Sequence, residues 1–300
     1  MKHMSASNIA RLTNRSLLRL SGADTKVFLQ NLVSNDLALL SDTKAIYSAL
    51  LTPQGKFLHD FFLFEWQGDI FVECLSDRKA DLVRRLTMYK LRANVTIADA
   101  SEEFTLHAIF GPAPDDFPKE LGELTSGDDH VLYADPRMGS LGYRAVFKKD
   151  ASWADNFTNC TEVSFEDYTA HRLSLGVPEG GTDIVPEKSF LLEANFEELH
   201  GVSFSKGCYV GQELTARTKY RAKIKKRIFT FKYDGELVVG DSIKFQDTEV
   251  AVVAAFQAPF GLAFTRLKEW NKFGSGNVLT AEDGLQITKP DYVILPDLSE

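Results

Sequence analysis

The sequence predicts an α+β protein with an all-β domain at its C-terminal end. Two observations carry this prediction. Between residues 15 and 110, strand-like segments alternate with two helical segments, in an order typical of antiparallel sheets packed by helices. From Arg227 onward, short apolar segments are separated by turn sequences, which is typical of a small β-barrel.

The first part of the chain contains two predicted helices and several predicted strands. Apolar residues recur at helical spacing through Asp24–Leu40. They do so again after the capping residues Ser76 and Asp77, as far as Leu91. The predicted strands, bounded by turn residues, are Arg15–Leu20, Ala45–Leu51, Phe57–Trp66, Asp69–Leu75, Ala93–Ala98 and Phe104–Phe110.

The middle of the chain is predicted to be loop-rich, with one helix. Gly111–His130 contains three prolines and many acids, so we expect a surface connection. Ser164 and Asp167 have the spacing of a capping box, and the helix that they open is expected to stop at Gly176. Leu191–Leu199 is a short acidic segment.

The composition is that of an ordinary globular protein. Apolar residues make up 44% and charged residues 25% of the chain, which excludes collagen-like, disulfide-scaffold and wholly disordered proteins. The longest run without a charged residue spans positions 250–265, and Pro259 and Gly261 interrupt it. A run of this length is too short to cross a bilayer, so we expect a soluble protein.

Positive charge is concentrated in one short segment. The basic strip, Arg217–Arg227, contains seven basic residues and no acid. The remaining chain has 27 basic and 42 acidic residues, a net charge of −15. A cationic strip on an acidic body indicates a specific anionic ligand or a partner surface.

The cysteines and the N-terminal composition bear on the compartment. Three cysteines, an odd number without a CxxC pair, indicate free thiols in a reducing compartment. The first 23 residues contain no acid, as in a transit peptide. However, residues 12–24 already have the pattern of the first strand of the fold. We therefore favour a bacterial cytoplasmic protein over one of the mitochondrial matrix.

The segment Lys206–Glu213, KGCYVGQE, is the most unusual in the chain. Two glycines flank Cys208, so we expect a sharply turned loop. Lys206 and the basic strip are expected to favour the thiolate form of the cysteine. A buried and inert Cys208 is the alternative, and Cys74, within an apolar strand, is expected to be such a packing residue.

Several blocks of the sequence, taken together, resemble one known family. KGCYVGQELTAR and the basic stretch after it resemble the signature of the YgfZ family of folate-binding proteins. This family is related to the T-protein (GcvT), the aminomethyltransferase of the glycine cleavage system. Other segments resemble family blocks in the same order: FLQNLVSNDL (28–37), ALLTPQGKFLHDFFLF (49–64), YKLRANVTI (89–97), DPRMGSLGYR (135–144), RLSLGVPEGGTDI (172–184) and LLEANFEELHGVSFSKGCYVGQE (191–213).

The resemblance implies a fold, a ligand and a role. The fold would be a GcvT-like ring of three subdomains with a C-terminal β-barrel. Residues 1–226 would form the folate-binding region, with two interleaved α+β subdomains of which one covers roughly 45–110, and residues 227–300 the barrel. The ligand would be tetrahydrofolate or another reduced folate. The role would be assembly or repair of iron–sulfur clusters, including those of radical enzymes that modify tRNA.

The resemblance also assigns functions to single residues. Cys208 takes the position of the family's active cysteine, within the motif Lys206, Gly207, Cys208, Tyr209, Gly211, Gln212 and Glu213. Glu193 resembles the glutamate that contacts the pterin ring, since a carboxylate accepts paired N–H donors. Tyr168 takes the position of an aromatic residue that lies against that ring. Arg221 and Arg227 are candidates to bind the carboxylates of the folate tail.

For each of these residues a purely structural role is the alternative. In that alternative Glu193 is a solvated helix acid, Tyr168 is a core residue, and the basic strip is an exposed face. One cysteine cannot hold an iron–sulfur cluster alone, because such clusters normally take four ligands. We therefore expect cluster assembly proteins and client enzymes as partners that supply the rest, and no membrane.

Two further functions remain open. Asp60, beside His59, takes the position of the aspartate with which aminomethyltransferases hold the folate nitrogen, so tetrahydrofolate-dependent transferase chemistry is the alternative to cluster assembly. The T-protein pattern lacks a cysteine in the KGCY position, which favours the assembly role. Tyr220 within the basic strip also fits RNA binding. The acidic body opposes that function, and we do not expect direct tRNA binding.

Overall fold

The computed structural model describes residues 6–157, 159–221, 224–281 and 284–295. The chain divides into two compact units that alternate along the sequence. The first unit comprises Met1–Leu51, His59–Tyr168 and Leu199–Val210, and the second comprises Thr52–Leu58, Thr169–Glu198 and Gly211–Glu300. The predicted boundary between residues 226 and 227 and the ring of three subdomains stay predictions.

The elements up to residue 163 are strands with a few short helices. Single turns of 3-10 helix occur at Leu37–Leu39, Ser76–Arg78 and Gly139–Leu141. The strands are β1 (Ser7–Arg11), β2 (Arg15–Ser21), β3 (Ile46–Leu51), β4 (Phe57–Trp66), β5 (Asp69–Leu75), β6 (Thr96–Asp99), β7 (Phe104–Phe110), β8 (Leu124–Ser126), β9 (His130–Ala134), β10 (Tyr143–Lys148) and β11 (Cys160–Val163), and the helices are α1 (Thr25–Gln30), α2 (Lys79–Lys90) and α3 (Trp153–Asn156).

These strands form two sheets. One has the order β11-β1-β7-β10-β9-β8 and is antiparallel except for the parallel pair β1–β11. The other has the order β3-β4-β5-β2-β6. Rings from β4 of one sheet meet rings from β9 of the other, with 5.7 Å between the ring centres of Phe64 and Tyr133. The two sheets therefore pack face to face in the first unit.

A network of buried charges crosses this packed layer. The carboxylate of Glu73 on β5 accepts hydrogen bonds from Arg15 (3.1 Å), Arg144 (2.6 Å) and the hydroxyl of Tyr133 (2.8 Å). Burial alone raises the pKa of Glu73, but the charges of Arg144 and Arg15 outweigh it, and the pKa lies below its ordinary value. Each buried charge thus has an opposite charge and hydrogen-bond partners, without which burial is costly.

The helix α4 (Phe165–Ser174) leads from the first unit into the second. The predicted capping box is confirmed, since the amide of Asp167 donates to Ser164 Oγ (3.1 Å) and the amide of Ser164 donates to Asp167 Oδ2 (2.9 Å). A single 3-10 turn follows at Leu191–Ala194. The later elements are α5 (Gln212–Tyr220), β12 (Lys226–Lys232), β13 (Ser242–Phe245), β14 (Thr248–Gln257), β15 (Phe260–Arg266), α6 (Leu267–Phe273), β16 (Val278–Thr280) and β17 (Gln286–Thr288).

The C-terminal strands form one antiparallel sheet with the order β13-β14-β15-β12-β17-β16. Its core includes Phe229 and Trp270, whose rings meet edge to face at 4.8 Å. A closed β-barrel is predicted here, but the sheet is a half-barrel: within the described residues, β13 and β16 are its two edges and do not pair with each other. Both edge strands are short, so they offer few hydrogen bonds for closure.

Several predicted elements match the structure, and others differ. The bounds of β4, β5 and β7 are those predicted. The helix predicted over Asp24–Leu40 ends at Gln30, because the chain beyond it turns toward β3: the amide of Ser34 donates to the carbonyl of Ala49 at 2.8 Å. The strands β1, β9, β10 and β11 are not predicted from the sequence.

Candidate functional site

Cys208 differs from the other two cysteines in its exposure to solvent. All three cysteines lie in the described part of the chain, and Cys208 alone is exposed. Cys74 is buried, as predicted, and burial raises the pKa of its thiol to about 12. Cys160 is half-buried, and burial raises the pKa of its thiol as well. Of the three thiols, that of Cys208 is therefore the one that a partner molecule can reach from solvent.

The cysteine loop, residues 200–210, is shaped differently from the prediction. Gly207 does not have a positive φ, and a methyl group built on it would meet no atom within 4 Å beyond its chain neighbours. Gly211, in contrast, has a φ of +83° and precedes the first residue of α5. The backbone conformation that favours glycine therefore lies three residues after Cys208, at Gly211, and not at Gly207.

Lys206 does not have the role predicted for it. The residue is buried, with 7% of its surface exposed. Its ammonium group donates to the carbonyls of Gln30 (2.8 Å), Val33 (2.7 Å) and Asn35 (2.7 Å). Burial lowers the pKa of Lys206 to about 8, against a raising effect of Asp36. All three ammonium protons are thus engaged by backbone carbonyls, which does not fit a counter-ion for the Cys208 thiolate.

The other motif residues lie on both sides of the start of α5. Tyr209 is buried, and Lys206 Nζ lies 5.1 Å from the centre of its ring. Gln212 is half-buried and Glu213 is exposed, both in the first turn of α5. Gly207 and Cys208 are thus exposed between the two buried residues Lys206 and Tyr209.

Asp60 and His59 lie on β4 and have separate partners. Asp60 is buried, and its Oδ2 accepts a hydrogen bond from the hydroxyl of Tyr47 at 2.7 Å. His59 Nε2 lies 2.9 Å from Asp81 Oδ2, and burial lowers the pKa of His59 to about 4. Successive side chains of a strand point to opposite faces, so the two residues do not act as a pair.

Tyr168 is buried within the first unit. Its hydroxyl accepts hydrogen bonds from Arg144 (3.3 Å) and Arg137 (3.4 Å), and its ring packs against Phe110. Arg137 in turn makes a two-fold hydrogen-bonded pair with Asp135, at 3.0 and 2.7 Å. With 4% of its surface exposed, Tyr168 packs as a core residue here, the alternative to its predicted contact with a pterin ring.

In the second unit, Glu193 and Arg227 differ in how far their charged groups are accessible to a ligand. The side chain of Glu193 is 16% exposed, and its Oε2 lies 3.6 Å from Lys226 Nζ. Arg227 is buried: its Nε donates to Asn195 Oδ1 at 2.8 Å, and its Nη2 is paired with Glu198. The prediction that Arg227 binds the folate tail is therefore wrong, because its guanidinium already has buried partners. Arg221 is exposed at the end of α5.

The basic strip is partly neutralised by the acidic segment that precedes it. Lys226, Lys219 and Arg227 are paired with Glu193, Glu197 and Glu198 respectively, all within the second unit. Arg217, Tyr220 and Arg221 line an open cavity of about 610 Å³ on α5, together with Glu213 and Ala216. Of the basic strip, Ala222 and Lys223 lie outside the described residues.

Sequence reasoning missed the residues that hold the cysteine loop and those of the buried charge network. The loop is held by the segment 30–36, whose only signal in the sequence is its place in the block FLQNLVSNDL. The network includes Asp135, Arg137 and Arg144, which stand in the block DPRMGSLGYR. Both blocks contribute to the family resemblance, but that resemblance assigns no role to these residues.

The described residues contain no group of three or more His, Cys, Asp and Glu side chains that could hold a metal ion. No helix among them has both the length and the apolar character needed to cross a membrane.

Comparison with known proteins gives a family and a fold. Residues 6–154 match the GCVT N-terminal domain. The iron–sulfur cluster assembly factor IBA57 of Mus musculus, a mitochondrial protein, is 33% identical over 241 residues, which cover 76% of this chain and 66% of the relative. The mitochondrial IBA57 of Homo sapiens is 33% identical over 74% of this chain and 65% of its own length. The IBA57 homologue of Neurospora crassa is 30% identical over 74% and 53%.

The chain thus spans about half to two thirds of the length of these curated relatives. Among solved structures, the glycine cleavage system aminomethyltransferase T of Bartonella henselae superimposes with a TM-score of 0.75. The superposition covers 96% of this chain and 87% of that protein, at 13% sequence identity. An identity this low shows a shared fold and no more.

These relatives correct the predicted compartment and part of the predicted family. The prediction of a bacterial cytoplasmic protein is wrong, since the curated relatives are named as mitochondrial proteins. The comparisons point to IBA57 rather than specifically to YgfZ. Residues 6–154 thus match the GCVT N-terminal domain, and over about three quarters of its length the chain is similar to the iron–sulfur cluster assembly factor IBA57.

Proposed function

We propose that this protein is an accessory factor for the assembly or repair of iron–sulfur clusters, and that it acts through Cys208. The names of its curated relatives support the cluster-assembly role. The observation that carries the proposal is an exposed thiol two residues after a buried, fully hydrogen-bonded lysine. Such an arrangement presents one sulfur to a partner at a defined place on the surface.

The cluster is the substrate of this activity. An iron–sulfur cluster normally takes four thiolate ligands. Cys74 is buried and Cys160 half-buried, and burial raises the pKa of both thiols, so neither is suited to join Cys208. The partner therefore supplies the remaining ligands. In this proposal Cys208 occupies one coordination position while the cluster passes between an assembly protein and a client enzyme.

We also propose a reduced folate as ligand, with contacts from the second unit. Glu193 fits this role, because a partly exposed carboxylate has lone pairs left for the N–H donors of a pterin ring. The exposed guanidinium of Arg221 is suited to a carboxylate of the tail. Tyr168 and Arg227 do not fit, since both are buried with hydrogen-bond partners. Tetrahydrofolate would supply one-carbon or redox chemistry when bound.

The geometry does not favour the aminomethyltransferase as the first function. That chemistry needs a carboxylate in contact with the folate nitrogen. Asp60 is buried, and its carboxylate accepts a hydrogen bond from the hydroxyl of Tyr47. Incubation with tetrahydrofolate and an aminomethylated lipoyl carrier tests this alternative, and release of ammonia with formation of methylene-tetrahydrofolate would establish it. In this proposal the protein affects tRNA modification indirectly, through the cluster-containing enzymes whose clusters it helps to assemble.

The central experiment replaces the exposed sulfur in cells. Cells that lack their own copy of the protein are supplied with wild type, Cys208→Ser, Cys208→Ala or the control Cys160→Ser. The activity of an enzyme with a [4Fe–4S] cluster is compared with its protein level. We expect loss of activity in both Cys208 variants and full activity in the control. Full activity of a folded Cys208→Ala protein would sink the proposal.

A further inference from the structure

We propose that Lys206 is a positioning residue for Cys208, which fastens the cysteine loop to the backbone that follows α1. The inference rests on the proposed function of Cys208 and assigns Lys206 a mechanical task in place of the electrostatic one predicted from the sequence. Its basis is a set of hydrogen bonds that join residues far apart in the chain but close together in the first unit.

The socket for the ammonium group is made of backbone carbonyls. Gln30 is the last residue of α1, and the carbonyls at a helix end have no partner within the helix. Lys206 donates to the carbonyls of Gln30, Val33 and Asn35 at 2.7–2.8 Å, one for each ammonium proton. Without the lysine these acceptors would lose their partner, and buried acceptors without partners destabilise a fold.

The same segment also holds the beginning of the cysteine loop. Ser34 Oγ donates to the carbonyl of Gly201 at 2.6 Å, and Asn35 Nδ2 donates to the carbonyl of His200 at 2.8 Å. In return, the amide of Ser203 donates to the carbonyl of Ser34 at 3.0 Å. Residues 200–203 and Lys206 are thus bound to one short piece of chain, and the loop is fixed on both sides of Ser205.

Cys208 follows directly after this fixed part. Two residues span at most roughly 7 Å, so the thiol stays close to the Lys206 anchor. Gly207, between the two, has no side chain, and a methyl group built on it would meet no atom within 4 Å beyond its chain neighbours. Lys206 therefore determines where the thiol emerges, while Gly207 allows its final orientation to adjust to a partner.

The test measures two properties of the purified protein: the hydrogen exchange of the cysteine loop and the reactivity of the Cys208 thiol. A Cys160→Ser background leaves one exposed thiol, and the variants are Lys206→Met, Lys206→Arg and the control Lys79→Met. Lys79 is also a partnered lysine of the first unit, bound to Asp99 and Ser101. Hydrogen exchange of residues 30–36 and 200–210 is measured together with the rate of Cys208 alkylation across pH.

We expect Lys206→Met to raise exchange at least tenfold in both segments and to change the alkylation rate at every pH. Lys206→Arg should restore part of the protection, and Lys79→Met should change neither quantity. An electrostatic role would instead shift the pH midpoint of alkylation and leave exchange unaltered, and that result would overturn the proposal. So would unchanged exchange accompanied only by a lower melting temperature.

A measurement on the wild type covers the case in which Lys206→Met does not fold. Under mildly denaturing conditions, hydrogen exchange should give the same free energy of opening for residues 30–36 and for residues 200–206. The two segments are expected to open together because the hydrogen bonds of Lys206 join them. Two distinct opening energies would overturn the proposal. This test can be distinguished from the test of the proposed function. If Lys206→Met raises hydrogen exchange in the loop while Cys208→Ala retains full cluster-enzyme activity, Lys206 anchors the loop but Cys208 has no role in cluster assembly.

Discussion

Lys226 Nζ lies 3.6 Å from Glu193 Oε2, an ion pair that is longer than a hydrogen bond and partly open to solvent. At this distance the lysine stabilises the charge of the carboxylate without occupying its lone pairs. Glu193 thus remains an acceptor that a ligand can use. This relationship is the structural basis for the first prediction.

Replacement of Glu193 should weaken folate binding. Hydrogen bonds to a charged group contribute about 1.5–3 kcal/mol each, so Glu193→Ala is expected to lower the affinity for tetrahydrofolate by about 10–100-fold. Titration followed by intrinsic fluorescence measures the dissociation constant. Glu197→Gln is the matched control, because Glu197 belongs to the same acidic segment and is paired with Lys219. Equal affinities of Glu193→Ala and wild type would show that the pterin is held elsewhere.

Replacement of Glu73 should destabilise the protein strongly. Glu73 is 1% exposed and faces two buried arginines, Arg15 and Arg144. Glu73→Gln leaves those charges without their carboxylate, which costs about 3–5 kcal/mol when one partner of a buried pair is removed. Urea unfolding at neutral pH measures this difference.

The control for Glu73 is an exposed ion pair of the same unit. Glu102 is 95% exposed in its side chain and lies 3.5 Å from Lys149. Glu102→Gln should change the free energy of unfolding by less than about 1 kcal/mol, since exposed pairs contribute little. If both variants lose the same small amount of stability, the buried network does not hold the two sheets together as inferred.

Mild acid should destabilise the protein through two buried histidines. Burial lowers the pKa of His59 and of His107 to about 4, and Arg11 adds to the effect at His107. Between pH 6.5 and 4 the unfolded chain therefore binds more protons than the folded one. The free energy of unfolding falls as the pH is lowered through this range, by about 1.4 kcal/mol per pH unit for each histidine.

The variant His107→Phe should remove one of these contributions. Its ring can keep the edge-to-face packing that His107 makes with Phe147, at 5.6 Å. We expect the pH slope of the unfolding free energy to be about 1.4 kcal/mol per unit shallower between pH 6 and 4.5. A slope that is equal in wild type and His107→Phe would contradict the buried neutral state of His107.

Much of the fold is predictable because apolar residues that become buried recur along the sequence with the spacing of strands and helices. The apolar run of β4 marks a strand that is buried on both faces, and its bounds match the prediction. The strand β10 is missed because Arg144 interrupts the apolar pattern. The charge of Arg144 is buried among distant partners, which include Glu73, 71 positions earlier. Pairings of this kind depend on tertiary structure and leave no local signal.

The candidate site was predictable only in part, for the same reason. The sequence marks Cys208 as unusual, and its exposure agrees with an active thiol. Proximity in sequence also suggested that Lys206 acts on that thiol. Its actual acceptors lie more than 170 positions earlier, so only the folded chain shows that it anchors the loop. Likewise, Arg227 is predicted as a candidate to bind the folate tail, but in the structure it is buried and paired with Glu198.

The basic strip should bind nucleic acid weakly. Lys219, Lys226 and Arg227 are each paired with a glutamate of the second unit, so Arg217, Arg221 and Lys225 are the exposed basic residues outside these pairs in the described part of the strip. Each phosphate contact contributes about −0.7 to −0.9 to the slope of log affinity against log salt. Three contacts predict a slope between about −2 and −3 for tRNA, and negligible binding at physiological salt.

Filter binding of tRNA at several salt concentrations measures this slope. The double variant Arg217→Gln and Arg221→Gln should remove most of the residual binding at low salt, whereas Lys232→Gln, at an exposed position on β12, should not. A slope near −6 in the wild type would mean that the glutamates release their partners and that the whole strip contacts RNA. The acidic segment Glu193–Glu198 would then act as a competitor for the strip rather than as its structural partner.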